Sequence, residues 1–96
     1  MNSANLLPIG SVVTVKEANK SMMIIGILPI NEGKQYDYIA VFYPEGYMTE
    51  DQIFLFNQDD IEKVHFLGFM DSEYQSFRHE LHLILSEAET QNENRA

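Results

Sequence analysis

The chain has no cysteine and no tryptophan among its 96 residues. Without a thiol there is no disulfide framework, no thiolate nucleophile and no cysteine-ligated metal. Basic residues are scarce too: six Lys and Arg stand against fifteen Asp and Glu, a formal net charge of −9. The bases are scattered, whereas phosphate contacts need them clustered, so nucleic acid and anionic membrane surfaces are not expected partners. An acidic surface of this kind mostly confers solubility and less often recruits a basic partner. Long apolar runs are also missing. The longest, Met22 to Ile30, is broken by Gly26 and Pro29 and falls far short of a bilayer span. Met1-Asn2-Ser3-Ala4-Asn5 lacks a basic region followed by an apolar stretch, so it does not read as a signal peptide. A soluble, cytoplasmic protein is the expectation. The five glycines stand singly, which leaves no phosphate-cradling loop, and no serine has the strand-turn-helix context of a nucleophile.

What is present suits one small folded domain over residues 1–96: 45% apolar residues, six Phe and five Tyr. Leu6-Leu7-Pro8-Ile9-Gly10 reads as an anchored entry, with Pro8 forcing extended chain and Gly10 allowing a bend. Five strand segments are expected: Ser11 to Lys16, Met22 to Leu28, Tyr36 to Tyr43, Gln52 to Phe56 and Val64 to Leu67. The second is apolar on both faces and should be the most buried, with a bend or close backbone approach at Gly26. Asn31 to Lys34 reads as a loop, and Tyr43-Pro44-Glu45-Gly46-Tyr47 as a turn. A short helical turn over Asn57 to Ile61, capped by Asp59 or Asp60, precedes the fifth strand.

Asp71-Ser72 then opens a helix, with Ser72 and Gln75 fitting a reciprocal capping pattern and an apolar stripe at Tyr74, Phe77, Leu81, Ile84, Leu85 and Ala88. The expected fold is mainly β with one C-terminal helix: a small SH3-like five-stranded antiparallel barrel, or a curled sheet, capped by the helix. The β part covers about residues 6–70, the helix about 71–86, and residues 87–96 form a frayed tail.

Chemistry is hard to find along this chain. His79 and His82 lie three apart on the expected helix, a spacing metal ligands use, but His65 or a carboxylate would have to supply a third. The second histidine also arrives one residue too early for the zinc-peptidase pattern, so surface histidines are the better reading. Asp59-Asp60-Ile61-Glu62 and Glu50-Asp51 place carboxylates side by side on turns, where they point apart rather than converge. No catalytic residue, metal site or cofactor is therefore expected, and the chain is not expected to be an enzyme. Candidate partner-binding residues are Tyr43 and Tyr47 beside the turn, Phe69 and Met70 leading into the helix, and Leu83 off its main stripe.

Several segments together resemble one family. They are Leu7-Pro8-Ile9-Gly10-Ser11-Val12-Val13, Met23-Ile24-Ile25-Gly26, Tyr36-Asp37-Tyr38, Tyr43-Pro44-Glu45-Gly46, Phe56-Asn57 to Asp60-Ile61, and Phe66-Leu67-Gly68-Phe69 before an acidic helix start. In that order, from about Leu6 to Leu85, they resemble the small uncharacterised-domain family of Gram-positive bacteria encoded beside type VII secretion genes and LXG-type toxins. One departure is Ile27, which stands where a basic residue often follows the Met-Ile-Ile-Gly segment. The resemblance implies an accessory role: an adaptor or targeting chaperone that binds a secreted toxin or its N-terminal targeting domain. The alternative is an immunity protein that neutralises the toxin domain. The family carries no accepted catalytic residues, so none is transferred.

Overall fold

The computed structural model describes residues 6–94, with side chains described through Ser86. Met1 to Asn5, which do not read as a signal peptide, and the last two residues of the expected tail lie outside that range. Among the described residues, seven strands occur in chain order: β1 (Val12–Val15), β2 (Met22–Ile27), β3 (Ile30–Asn31), β4 (Lys34–Gln35), β5 (Tyr38–Phe42), β6 (Ile53–Phe56) and β7 (Ile61–Phe66). One helix, α1 (Ser72–Asn94), follows. The chain divides into two compact units, Leu7–Phe69 with all the strands, and a second that contains the helix.

Five strands form one antiparallel sheet in the order β6-β5-β2-β1-β7. Its two edges, β6 and β7, do not pair, so the sheet stays open where a closed barrel was one expectation. Alternation along the strands sends Val13, Val15, Met22, Ile24, Tyr38, Ala40 and Phe56 to one face, and all of these are buried. The Tyr38 and Phe56 rings meet at 5.7 Å between centroids on that face. Strand β2 is not the most buried one. A register shift between Ile24 and Gly26 interrupts its alternation, and Ile25 is 37% exposed, whereas three of the four β1 residues are buried.

Asn31 to Lys34 is more ordered than the loop expected there. Ile30–Asn31 pairs with Lys34–Gln35 in a miniature hairpin whose turn residues, Glu32 and Gly33, both take positive φ (52° and 78°), the geometry that suits two-residue connections. The helical turn before β7 is present at Gln58–Asp60, but Asn57 is its capping position. The Asn57 N–H donates to Asp60 Oδ2 at 2.9 Å, so Asp60 closes the turn from inside rather than opening it.

Within its own unit, α1 starts at the expected place with a different cap. Asp71 Oδ1 accepts the Tyr74 N–H at 2.8 Å, so the cap lies one residue before Ser72. The helix runs through Asn94. Glu87, Ala88, Glu89 and Gln91 are good helix formers, which favours propagation through this stretch. Among its described residues Phe77, Leu83 and Ile84 are exposed, at 49%, 50% and 61%. No helix among the described residues is long and apolar enough to cross a membrane.

Candidate functional site

An apolar groove of about 410 Å³ lies on the sheet face opposite the main core residues. Its floor follows from register. Phe66 on β7 lies across from Val12 on β1, which lies across from Met23 on β2, so the three side chains stand in one row. Directly opposed residues of antiparallel strands share a face, which makes this row a consequence of pairing.

A bulge adds the fourth wall. Val12 pairs with Phe66 and Val13 with Val64, so His65 has no opposite number on β1. An extra residue of this kind re-aims its side chain, and His65 joins Phe66 in lining the groove. Its ring is held in place, since His65 Nε2 and Thr14 Oγ1 share a hydrogen bond of 2.7 Å.

The last wall is Tyr43, delivered by the turn after β5. The Tyr43 N–H donates to the Ser21 carbonyl at 3.0 Å, which ties the turn to the start of β2, and Gly46 N–H closes it on the Phe42 carbonyl at 2.7 Å. Lys20 clamps the same turn from outside. Its Nζ donates to the Tyr43 carbonyl at 2.9 Å, pairs with Glu45 Oε1 at 2.9 Å and lies 5.8 Å from the centre of the Phe42 ring. The hydrogen bond from Lys20 holds the Glu45 carboxyl below the ordinary glutamate range, outweighing a slight opposing effect of burial.

Of the five residues singled out from the sequence, Tyr43 lines this groove. Tyr47 and Phe69 belong to the same unit and are exposed, at 59% and 78%. Met70 and Leu83 belong to the helical unit and are exposed at 46% and 50%. Sequence reasoning marks none of Phe66, Met23 and Val12 as site residues, and offers His65 only as a third metal ligand beside His79 and His82. The strand register and the bulge that gather them depend on pairings distant in sequence. Phe66 alone carried a readable signal, as the head of the apolar run Phe66-Leu67-Gly68-Phe69-Met70.

The reactive side chains considered from sequence do other work. Ser11 is fully buried, donating its hydroxyl to the Pro8 carbonyl at 2.7 Å and accepting the Gly68 N–H at 3.0 Å. Tyr38 is fully buried as well. Its hydroxyl accepts the Leu7 N–H at 2.8 Å and donates to Gln58 Oε1. Asp37 and the residues after β6 interlock beside it: the Asp37 N–H donates to Asn57 Oδ1 at 3.1 Å, and the Gln58 N–H donates to Asp37 Oδ2 at 2.8 Å. Among the described residues, no three His, Asp or Glu side chains gather as a metal would require. What the arrangement offers chemically is an open apolar surface with aromatic walls, suited to taking up an apolar side chain.

No curated protein and no solved structure matches the chain. Residues 6–77 match a domain of unknown function, DUF4176, and on that coverage the chain belongs to the DUF4176 family.

Proposed function

We propose that this chain is a non-enzymatic, cytoplasmic protein-binding accessory: an adaptor or targeting chaperone for a toxin substrate of a type VII secretion system. The observation that carries the binding part is the solvent-open groove between Phe66 and Tyr43, an apolar and aromatic surface on an otherwise strongly acidic protein. The secretion part rests on the resemblance of the ordered segments from Leu7 to Phe69. The strand order, with β1 lying between β2 and the last strand, fits an SH3-like arrangement, and modules of that kind commonly bind peptide segments on exposed aromatics.

Co-expression with an LXG-type toxin, followed by purification through a tag on either protein, tests the reading. A stable complex with the N-terminal half of the toxin is the expected result. Absence of such a complex counts against it. The net charge of −9 favours one second reading, an immunity protein laid over a basic active site. In that case the complex forms with the C-terminal toxin domain and growth is rescued.

A further inference from the structure

The groove has one wall built from a strand that is itself unfinished. Strand β7 ends the sheet, pairing with β1 alone, and its residues Glu62 to Phe66 are all exposed. An edge strand presents a row of backbone donors and acceptors to any extended chain that comes alongside. The other edge, β6, is the less exposed of the two: Ile53, Phe54 and Leu55 on it are half-buried and Phe56 is buried. Of the two edges, β7 is therefore the available one, and the groove opens beside it through His65 and Phe66.

Charge is unevenly distributed along this edge. At its start, Asp59, Asp60 and Glu62 set three carboxylates against the ammonium of Lys63 and that of Lys16, whose N–H bonds the Asp60 carbonyl. At its far end stand Val64, Phe66 and Leu67, exposed at 42%, 62% and 48%. We propose that β7 takes up an extended segment of the partner protein, added antiparallel as a sixth strand of the sheet. That segment is apolar in its N-terminal half, where it passes Phe66 and inserts a side chain into the groove, and basic in its C-terminal half, where it passes Asp59 to Glu62. The direction follows from the sheet, in which every pairing is antiparallel. Charge complementarity also decides between occupants: a second copy adding itself along β7 would bring another −9 against the first. The inference deepens the adaptor reading and rests on it for the identity of the partner.

The test uses the full chain and a synthetic peptide that alternates valine and threonine in its first half and carries lysines in its second. The expected result is that amide shifts on adding peptide concentrate on β7 and on Val12, Met23 and Tyr43. A peptide with the two halves exchanged should bind about tenfold more weakly, as should the original peptide to a Glu62→Lys/Asp59→Lys variant. Both positions are exposed, and Phe66→Lys, also exposed, provides an independent block of the apolar end. Shifts confined to α1, equal binding of the two peptides, or a β7-paired dimer of the free chain would each overturn the proposal. The same variants carried into the toxin co-purification separate the two readings. If a complex forms and all three substitutions leave it intact, the β7 proposal fails and the adaptor role stands. If the peptide binds β7 but no toxin complex forms, the adaptor role fails.

Discussion

Ser11 and Gly68 lie 57 positions apart in the chain and are joined by a buried hydrogen bond, Gly68 N–H to Ser11 Oγ at 3.0 Å. The hydroxyl itself donates to the Pro8 carbonyl at 2.7 Å, so one side chain ties the entry of the β unit to its exit. Gly68 fits there because it has no side chain: a Cβ would stand 2.0 Å from the Ile9 carbonyl oxygen. Replacing Ser11 with alanine strands the buried Gly68 N–H and leaves the Pro8 carbonyl with only the backbone N–H of residue 11, which costs about 1–3 kcal/mol. Gly68→Ala forces the backbone apart and costs more. Urea unfolding followed by fluorescence checks both, and an unchanged midpoint for either variant would refute the account.

Tyr38→Phe keeps the ring against Phe56 and removes only the hydroxyl. The Leu7 N–H and Gln58 Oε1 then lose their partner, and stability falls by about 1–3 kcal/mol. Gln58→Ala in the Tyr38→Phe background should cost much less than Gln58→Ala alone, a coupling that a double-mutant cycle measures directly.

The helix cap separates two adjacent residues. Asp71→Ala removes the acceptor of the Tyr74 N–H and should cost the helix about 1 kcal/mol, whereas Ser72→Ala should cost little. Amide exchange across the first turn reads the difference. Faster exchange in Ser72→Ala than in Asp71→Ala would return the cap to Ser72.

Lys20 and Glu45 give a pH signature. Because the folded-state carboxyl titrates below the ordinary glutamate range, the pair contributes above that range and is lost as pH falls through the lowered value. Both side chains are substantially exposed, so the effect on stability is small and weakens with salt. A carboxyl-detected NMR titration should place Glu45 below the ordinary glutamate range, and Lys20→Met should move it back up.

Tyr43→Ala and Phe69→Ala remove exposed rings and leave every backbone contact of the turn in place. Thermal unfolding should change by no more than about 0.5 kcal/mol in either variant. Tyr43→Ala should nonetheless weaken the toxin complex, as a calorimetric titration of the purified partners would show.

Local chemistry was legible in the sequence wherever the controlling residues are neighbours. Pro8 and Gly10 announced the entry, Pro44 and Gly46 the turn, and the polar stretch after Phe56 a helical turn. Glu32-Gly33 hid a hairpin because its strands are two residues each, too short to show alternation. Asp71 and Ser72 are both good caps, and only geometry chooses between them. The groove was least legible. Tyr43 stood out by composition, but Val12, Met23 and Phe66 become neighbours only through register, and His65 joins them through a bulge in a pairing between residues some fifty positions apart.

The clasp between Ser11 and Gly68 also bears on how the protein is made. A ribosome releases the first strand long before the last, and until Gly68 has left the exit tunnel Val12 to Val15 can pair on one side only. Closing so long a loop is paid for in chain entropy before any contact repays it. During that interval the newborn chain exposes an apolar strand edge along Val12 to Val15, which only the arrival of Ile61 to Phe66 covers.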